Sequence, residues 1–282
     1  MFKKILLGVS TLFISLIFSA CHSGSTSEKT SDFDATSKDT LSYDFVSIDT
    51  TDAACLSKFN NCPNAKMSYP VFNTPDTALN NFLNAEVMKS VLFDTDTSAY
   101  ASVSEIIKTY FNENASLRKP GDADDESEAW HIETAVSVYN KTGKYISLEI
   151  YREIYEGGAH PNSSVEYQIY DLLAKKQLNA AELLNLKDTA LLKIGEKYFR
   201  INNSIADTTS LADAGYFIFG DGDDFEDGPD YGKFHFNTNF ALTEDGVEFQ
   251  YNSYEIGPYA VGAPSITIPY DVIQPFLKLK IW

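Results

Sequence analysis

The chain has 282 residues, with 22 Lys and Arg against 40 Asp and Glu, for a formal net charge of −18. That balance argues against nucleic acid and anionic lipid surfaces as partners, because each brings further negative charge to the protein. A cationic partner would be attracted, although a general acidic bias for solubility accounts for the charge equally well.

At the N-terminus, Met1-Phe2-Lys3-Lys4 forms a short positive segment, and Ile5 to Phe18 is apolar except for Gly8, Ser10, Thr11 and Ser15. That is the length of a signal-peptide core, and too short to span about 30 Å of hydrocarbon as a helix. The stretch ends in Phe18-Ser19-Ala20-Cys21. It resembles the lipobox of bacterial lipoproteins, where small residues precede a cysteine that is diacylated and becomes the mature N-terminus. Phe18 stands where leucine is usual, and an ordinary secretory leader with Cys21 present by chance is the alternative. The lipobox implies a leader over residues 1–20, lipid on Cys21, export, and attachment to a bacterial membrane, facing the periplasm or the cell exterior. Losing Lys3 and Lys4 with the leader takes the net charge from −18 to −20.

Residues 21–40 are mostly Ser, Thr, Asp, Lys and Gly, with Phe33 the only large aromatic side chain. Such a segment buries too little apolar surface to offset chain entropy, so it reads as a flexible tether. No second long apolar run follows, and the rest is expected to be soluble. About 240 residues remain, enough for one large domain or two small ones. With lipid on Cys21, Cys55 and Cys62 are left as a pair, and in an oxidising compartment a local disulfide is expected. Two unpaired thiols are the alternative. A zinc site is not expected, because the spacing is wrong for a knuckle and no histidine lies nearby.

Beyond the tether, Ser68 to Phe72 reads as a strand end leading to a helix capped by Asp76, with Leu79, Phe82, Leu83, Val87 and Val91 at helical spacing. A second helix starts at Ser102 with Glu105 three residues on, and its apolar face is Val103, Ile106, Ile107, Tyr110 and Phe111. Lys119 to Glu128 is a polar, acidic loop. Trp130–Tyr139 and Tyr145–Tyr155 alternate with period two around Asn140-Lys141-Thr142-Gly143, a hairpin with Ile146, Leu148 and Ile150 on one face. Val165–Leu172 reads as a strand, Asn179–Leu184 as a capped helical turn, and Asp188–Phe199 as an amphipathic helix carrying Leu191, Ile194 and Tyr198. An acidic loop over 220–232 precedes strands at Lys233–Phe236, Val247–Tyr251 and Ser265–Ile268. Helices followed by antiparallel strands, twice over, predict an α+β fold of two packed subdomains, each with helices against an antiparallel sheet.

Two segments go beyond pattern: Tyr155-Glu156-Gly157-Gly158-Ala159-His160-Pro161, and Phe249 to Gly262 followed by Ile266-Thr267-Ile268-Pro269-Tyr270. Together they resemble the extracytoplasmic domain pair of RsiV-type anti-sigma factors, found also beside the catalytic domain of PdaC-type peptidoglycan deacetylases. The shared hallmarks are a GGAHP-like turn and, about a hundred residues later, a YEIxPYAxG-like loop leading into a TIPY-like strand. Ser253 stands where the family commonly has proline. The resemblance covers roughly residues 41–282 and implies a PdaC-type domain over 41–165 and an RsiV-like domain over 166–282. RsiV-like proteins bind lysozyme and signal through a membrane helix to a cytoplasmic sigma-binding segment. Neither segment is evident here, so the anti-sigma role is not expected. Nor is sequence left for a deacetylase domain.

Physically, Gly157-Gly158 lets the backbone adopt positive φ and re-aim the chain, presenting His160. That histidine can donate to a ligand or hold a neighbouring loop, and no Ser, Cys or Asp arrangement beside it makes a triad. Tyr254, Glu255 and Tyr259 lie in a loop stiffened by Gly257-Pro258 and Gly262, and rigid tyrosines suit recognition of proteins or sugars. Alternatively Tyr254 and Ile256 are core and Glu255 satisfies backbone donors; Tyr254 in particular is expected to be partly core. The acidic loop has carboxylates enough for calcium. However, Phe225, Glu226 and Gly232 break an EF-hand pattern, so it reads as solvated.

There is no nucleophile elbow, HExxH, phosphate loop or dinucleotide fingerprint. Glu153, Glu156 and Glu255 are the candidates for an acid–base carboxylate pair acting on glycan. The sequence therefore predicts a non-catalytic envelope lipoprotein without cofactor or metal. Its expected ligand is a lysozyme-like protein or a peptidoglycan fragment, held by Tyr254, Glu255, Tyr259 and His160. A glycan-acting enzyme using Glu255 and His160, and a structural scaffold, are the alternatives.

Overall fold

Six strands follow one another in chain order across a single sheet: β1 (Tyr43–Thr51), β2 (Asn64–Phe72), β3 (His131–Lys141), β4 (Tyr145–Tyr155), β5 (Asn162–Asp171) and β6 (Lys176–Leu178). The computed structural model describes residues 41–92, 102–119, 129–218 and 231–281, and all of them belong to one unit, 39–282. The leader and tether, most of the polar loop after Lys119 and most of the acidic loop lie outside the described residues. No described helix is long and apolar enough to cross a membrane.

The expectation of a wholly antiparallel first sheet is corrected, since β2 and β3 run parallel while every other neighbouring pair is antiparallel. The reason lies in the connection. Between β2 and β3 the chain travels through helices α2 (Thr77–Val91) and α3 (Val103–Leu117), and a helical crossover returns a strand parallel to its predecessor. Between β1 and β2 sits a short helix, α1 (Ala53–Leu56), whose loop is closed by a disulfide between Cys55 and Cys62 with Cα atoms 5.7 Å apart.

The helices start where their caps dictate. Asp76 accepts from the amides of Ala78 and Leu79, and Ser102 from that of Glu105, satisfying first-turn donors that have no partner within the helix. Leu83, Val87 and Val91 of α2, with Ile106, Ile107 and Tyr110 of α3, are buried against Ile146, Leu148 and Ile150 of β4. The opposite face of the sheet packs on the second region, and Tyr145 and Ile169 belong to that region's core.

That region has a three-stranded antiparallel sheet of β7 (Phe240–Leu242), β8 (Gly246–Gln250) and β9 (Ser265–Pro269), with helices α4 (Ala180–Leu183), α5 (Thr189–Asn202) and α6 (Tyr270–Ile273). The strand expected at Lys233–Phe236 does not form; the segment pairs with no other strand, and Phe240–Leu242 takes the place beside β8. Instead Phe234 and Phe236 press their rings onto Gly195 of α5. Accordingly α5 buries Leu191, Gly195 and Phe199, leaving Ile194 and Tyr198 partly exposed. Position 165/166 falls inside β5, which belongs throughout to the six-stranded sheet.

Polar side chains fasten the two regions. Asn239 accepts from the Tyr167 amide (2.7 Å) and donates to the Val165 carbonyl (2.7 Å). Asn252 accepts from the Val165 amide (2.8 Å) and donates to the same carbonyl (3.1 Å). Side-chain amides thus stand where a seventh strand would pair with β5. At the other end, Asn140 and Ser147 both donate to the Leu242 carbonyl.

Candidate functional site

Strand β4 ends at Tyr155, and the chain then turns through Gly157 (φ 93°) and Gly158 (φ 108°), conformations that only glycine adopts readily. A Cβ on Gly158 would meet nothing within 4 Å, so glycine is needed there for backbone geometry rather than for space. The turn is tied back by the Tyr155 hydroxyl, which donates to the Gly158 carbonyl at 3.1 Å. It delivers His160 to the surface with Nδ1 2.9 Å from the Pro161 carbonyl. A carbonyl only accepts, so in the neutral ring Nδ1 carries the hydrogen and Nε2 accepts from the Tyr254 hydroxyl at 3.3 Å.

Tyr254 arrives from the loop after β8. Tyr251 and Ile256 occupy the core, at 0% and 2% exposure. Between them Tyr254 takes φ 67°, in the left-handed region, and its ring is 52% exposed. The expectation that Tyr254 is partly core is therefore corrected, since the backbone reversal at this residue turns it outward while its neighbours fill the interior. Glu255 holds the reversal. Its Oε1 accepts from Asn237 Nδ2 (2.7 Å) and its Oε2 from the Asn252 amide (2.8 Å). Gly257 then passes so close to Gly215 that a Cβ would lie 2.4 Å from the Gly215 carbonyl oxygen. Tyr259 opens a 3₁₀ turn, Tyr259–Val261, and is 43% exposed.

Three of the four residues singled out from the sequence thus meet. The His160 and Tyr259 rings stack with centroids 4.0 Å apart and planes 13° apart. Tyr254 closes the group, 6.4 Å from His160 and 5.6 Å from Tyr259. The fourth, Glu255, commits one oxygen to its own loop, at Asn252, and the other to Asn237 in the segment before β7. The result is an exposed aromatic ledge on an ordered backbone, able to offer flat apolar contact rimmed by hydroxyl groups.

Sequence reasoning missed a second cluster, on the sheet face opposite α2 and α3. Tyr139 and Tyr167 lie 4.9 Å apart and both donate to Glu248, at 2.9 and 3.3 Å. Burial, and then the charge of Glu248, raise the Glu149 carboxyl above its ordinary range. Burial likewise raises the Tyr139 and Tyr167 hydroxyls. Neither carboxylate has a basic partner among the described residues. The available signal was a glutamate at the centre of the otherwise apolar Val247-Glu248-Phe249 run. Of the candidate acid–base carboxylates, Glu153 pairs with His131 (3.1 Å) and accepts from Tyr151 (2.6 Å), while Glu156 is exposed. No group of three or more metal-ligating side chains occurs among the described residues.

Comparison with known proteins places both regions. Residues 56–163 match the model described as Deacetylase PdaC, and residues 161–271 match DUF3298, a protein family of unknown function. Over those residues the chain is similar to the PdaC and DUF3298 domain families, each match covering less than half of it. Two solved structures are similar to it. A DUF3298 family member from Bacteroides fragilis has 23% identity and a TM-score of 0.65, covering 85% of this chain and 95% of its own. A DUF3298 family protein from Pseudomonas aeruginosa has 20% identity and a TM-score of 0.62, with the same coverage. At these identities the likeness concerns the fold. No curated protein matches the chain. On these boundaries His160 lies in the PdaC segment, and Tyr254 and Tyr259 lie in the DUF3298 segment. The ledge is assembled where the two segments meet.

Proposed function

We propose that this protein is a non-catalytic binding module of the bacterial cell envelope, held to a membrane by lipid on Cys21. Its ligand, a lysozyme-like protein or a peptidoglycan fragment, sits on the ledge of His160, Tyr254 and Tyr259. The observation that carries this reading is the stack of His160 on Tyr259, with two half-exposed tyrosines on a loop anchored by the buried Tyr251 and Ile256. Rings ordered before binding lose little entropy on contact, so a few of them can dominate affinity. The Cys55–Cys62 bridge fits an oxidising compartment. An acid–base role for Glu255 fits less well, because both of its oxygens already hold Asn237 and Asn252.

The test is calorimetric titration of the purified protein with a lysozyme and, separately, with soluble muropeptides. Binding to either that is lost in Tyr259→Ala supports the reading. Binding to neither, or binding indifferent to Tyr259, His160 and Tyr254 together, removes it. For the anchor, Cys21→Ser should move the protein from the membrane fraction to the soluble envelope fraction. Retention on membranes after a high-salt wash would show that something other than that lipid holds it.

A further inference from the structure

Away from the ledge, a pocket of about 370 Å³ opens between the disulfide loop and the end of α3. Lys58 and Phe59 line it from the loop, Arg118 and Lys119 from just beyond the helix, and Ala54 and Ala115 form its apolar wall. Asp52 also borders it, and its Oδ1 accepts from the Ala54 amide at 2.9 Å. Among the described residues that line it, three side chains are cationic and one is a carboxylate, in a chain whose net charge is −18.

Its parts are fixed in advance. The disulfide closes the loop, and the backbone amides of Lys58 and Phe59 both donate to the Cys55 carbonyl, at 2.7 and 2.9 Å. Arg118 is held on three sides: Nε donates to Asn114 Oδ1 (2.8 Å), Nη2 donates to the Asn61 carbonyl, and the guanidinium lies 4.8 Å over the Phe59 ring. Asn114 is itself 5% exposed. A guanidinium clamped in this way loses little further freedom on binding and leaves N–H groups on Nη1 to donate. Basic residues after a helix also complement its negative end, which accounts for Arg118 and Lys119. That explanation does not reach Lys58, which comes from another element and faces the same space.

We infer that this pocket is a binding site for a small carboxylate-bearing molecule about the size of a dipeptide. The Arg118 guanidinium and the Lys58 ammonium would take its carboxylate, and the wall of Phe59, Ala54 and Ala115 its apolar part. A planar carboxylate suits the planar guanidinium, and the volume lies in the range of small-ligand sites. The inference stands apart from the ledge and does not depend on it.

The test is titration of the full chain with N-acetyl-alanyl-alanine, with the C-terminal amide of the same dipeptide, and with inorganic phosphate, followed by calorimetry. The free acid should bind saturably, with the amide weaker by about tenfold or more, since it lacks a charge-assisted contact. Phosphate should bind more weakly than the acid. Arg118→Gln should weaken acid binding by at least tenfold, as judged from the same contact energies. Because it also unfastens the disulfide loop, the exposed Lys58→Gln serves as the second variant: affinity should fall about threefold with the melting temperature unchanged. No saturable binding of the acid, equal binding of acid and amide, phosphate binding as tightly as the acid, or indifference to Lys58→Gln would each overturn the assignment.

Discussion

The ring of His160 lies flat on the ring of Tyr259, 4.0 Å between centroids, although one comes from the turn after β4 and the other from the loop after β8. The stack joins two family segments through exposed side chains, whereas the same segments are already fastened by Asn140 and Ser147, which both donate to the Leu242 carbonyl. Removing a ring from the ledge should therefore change binding before it changes stability. We expect Tyr259→Ala to weaken ligand binding by about 2 kcal/mol, within the hot-spot range, with an unaltered melt. Tyr254→Ala should act in the same direction, because Tyr254 is exposed. Calorimetry beside thermal melts separates the outcomes, and a collapsed melt for Tyr259→Ala would show the ledge to be structural.

The asparagines make the complementary case. Asn252→Ala removes both the acceptor for the Val165 amide and a donor to its carbonyl. The carbonyl keeps its bond from Asn239, but the partly buried amide is left without its acceptor, which costs about 1–3 kcal/mol. Asn239→Ala should cost a similar amount by orphaning the Tyr167 amide, and because the Val165 carbonyl loses both of its asparagine donors only when both side chains go, the double variant should lose more than the two single losses combined. Strict additivity in denaturant titrations would contradict this coupling.

Much of this was legible in the sequence, and the limits have physical causes. Caps and helical spacing located α2, α3 and α5, and the two glycine motifs identified three members of the ledge. β1 was not anticipated because it lies at the edge of the sheet, paired on one side by β2, and its Phe45 is 55% exposed, which spoils the alternation. The parallel pairing of β2 with β3 depends on where the crossover returns, which local pattern does not encode. Lys233–Phe236 alternates like a strand because Phe234 and Phe236 both face α5, yet the segment pairs with nothing. Tyr254 looked like core because positive φ at a tyrosine is not written in composition.

The Glu149–Glu248 cluster predicts a pH dependence. Folding raises the Glu149 carboxyl above its ordinary 4.5 through burial and then the charge of Glu248. The folded chain therefore holds that proton more tightly than the unfolded chain does. The stability this contributes is complete below 4.5 and is lost as pH rises through the elevated folded value. Glu149→Gln should then gain stability relative to the parent at about pH 8, and the gain should shrink towards about pH 4. Melts across that range decide it; a difference independent of pH would mean that the carboxylate is not strained by its surroundings.

The disulfide gives a third stability test. Cys55 and Cys62 enclose an eight-residue loop, for which the chain-entropy relation gives about 2.5 kcal/mol. Cys55→Ser with Cys62→Ser should lower stability by about 2–3 kcal/mol. It should also free the loop that carries Lys58 and Phe59. Loss of that magnitude without any change in carboxylate binding would dissociate the bridge from the pocket.

The last prediction sets two effects of opposite sign against each other at Gly195. This glycine lies inside α5, where replacement by alanine ordinarily gains about 1 kcal/mol of helix propensity. Here a Cβ would sit 2.4 Å from Phe234 Cε1 and 2.4 Å from Phe236 Cζ. Those rings have little room to move. Phe234 is in edge contact with Phe217 at 5.5 Å and with Phe236 at 4.9 Å, and Phe236 packs on Phe249 at 4.6 Å. Inserting a methyl group into such a core costs about 1–3 kcal/mol through displaced rings and backbone. The close contact with two confined rings places this site at the upper end, so steric cost should exceed propensity. Gly195→Ala is expected to lower stability by about 1–2 kcal/mol, or about 3–6 °C in melting temperature for a domain of this size. Adding Phe236→Leu should relieve part of the clash, so that the double variant loses less than the two single losses added together. A Gly195→Ala protein that melts at or above the parent would show that the two rings yield, and that α5 is free to approach the Phe234–Phe236 segment by another packing.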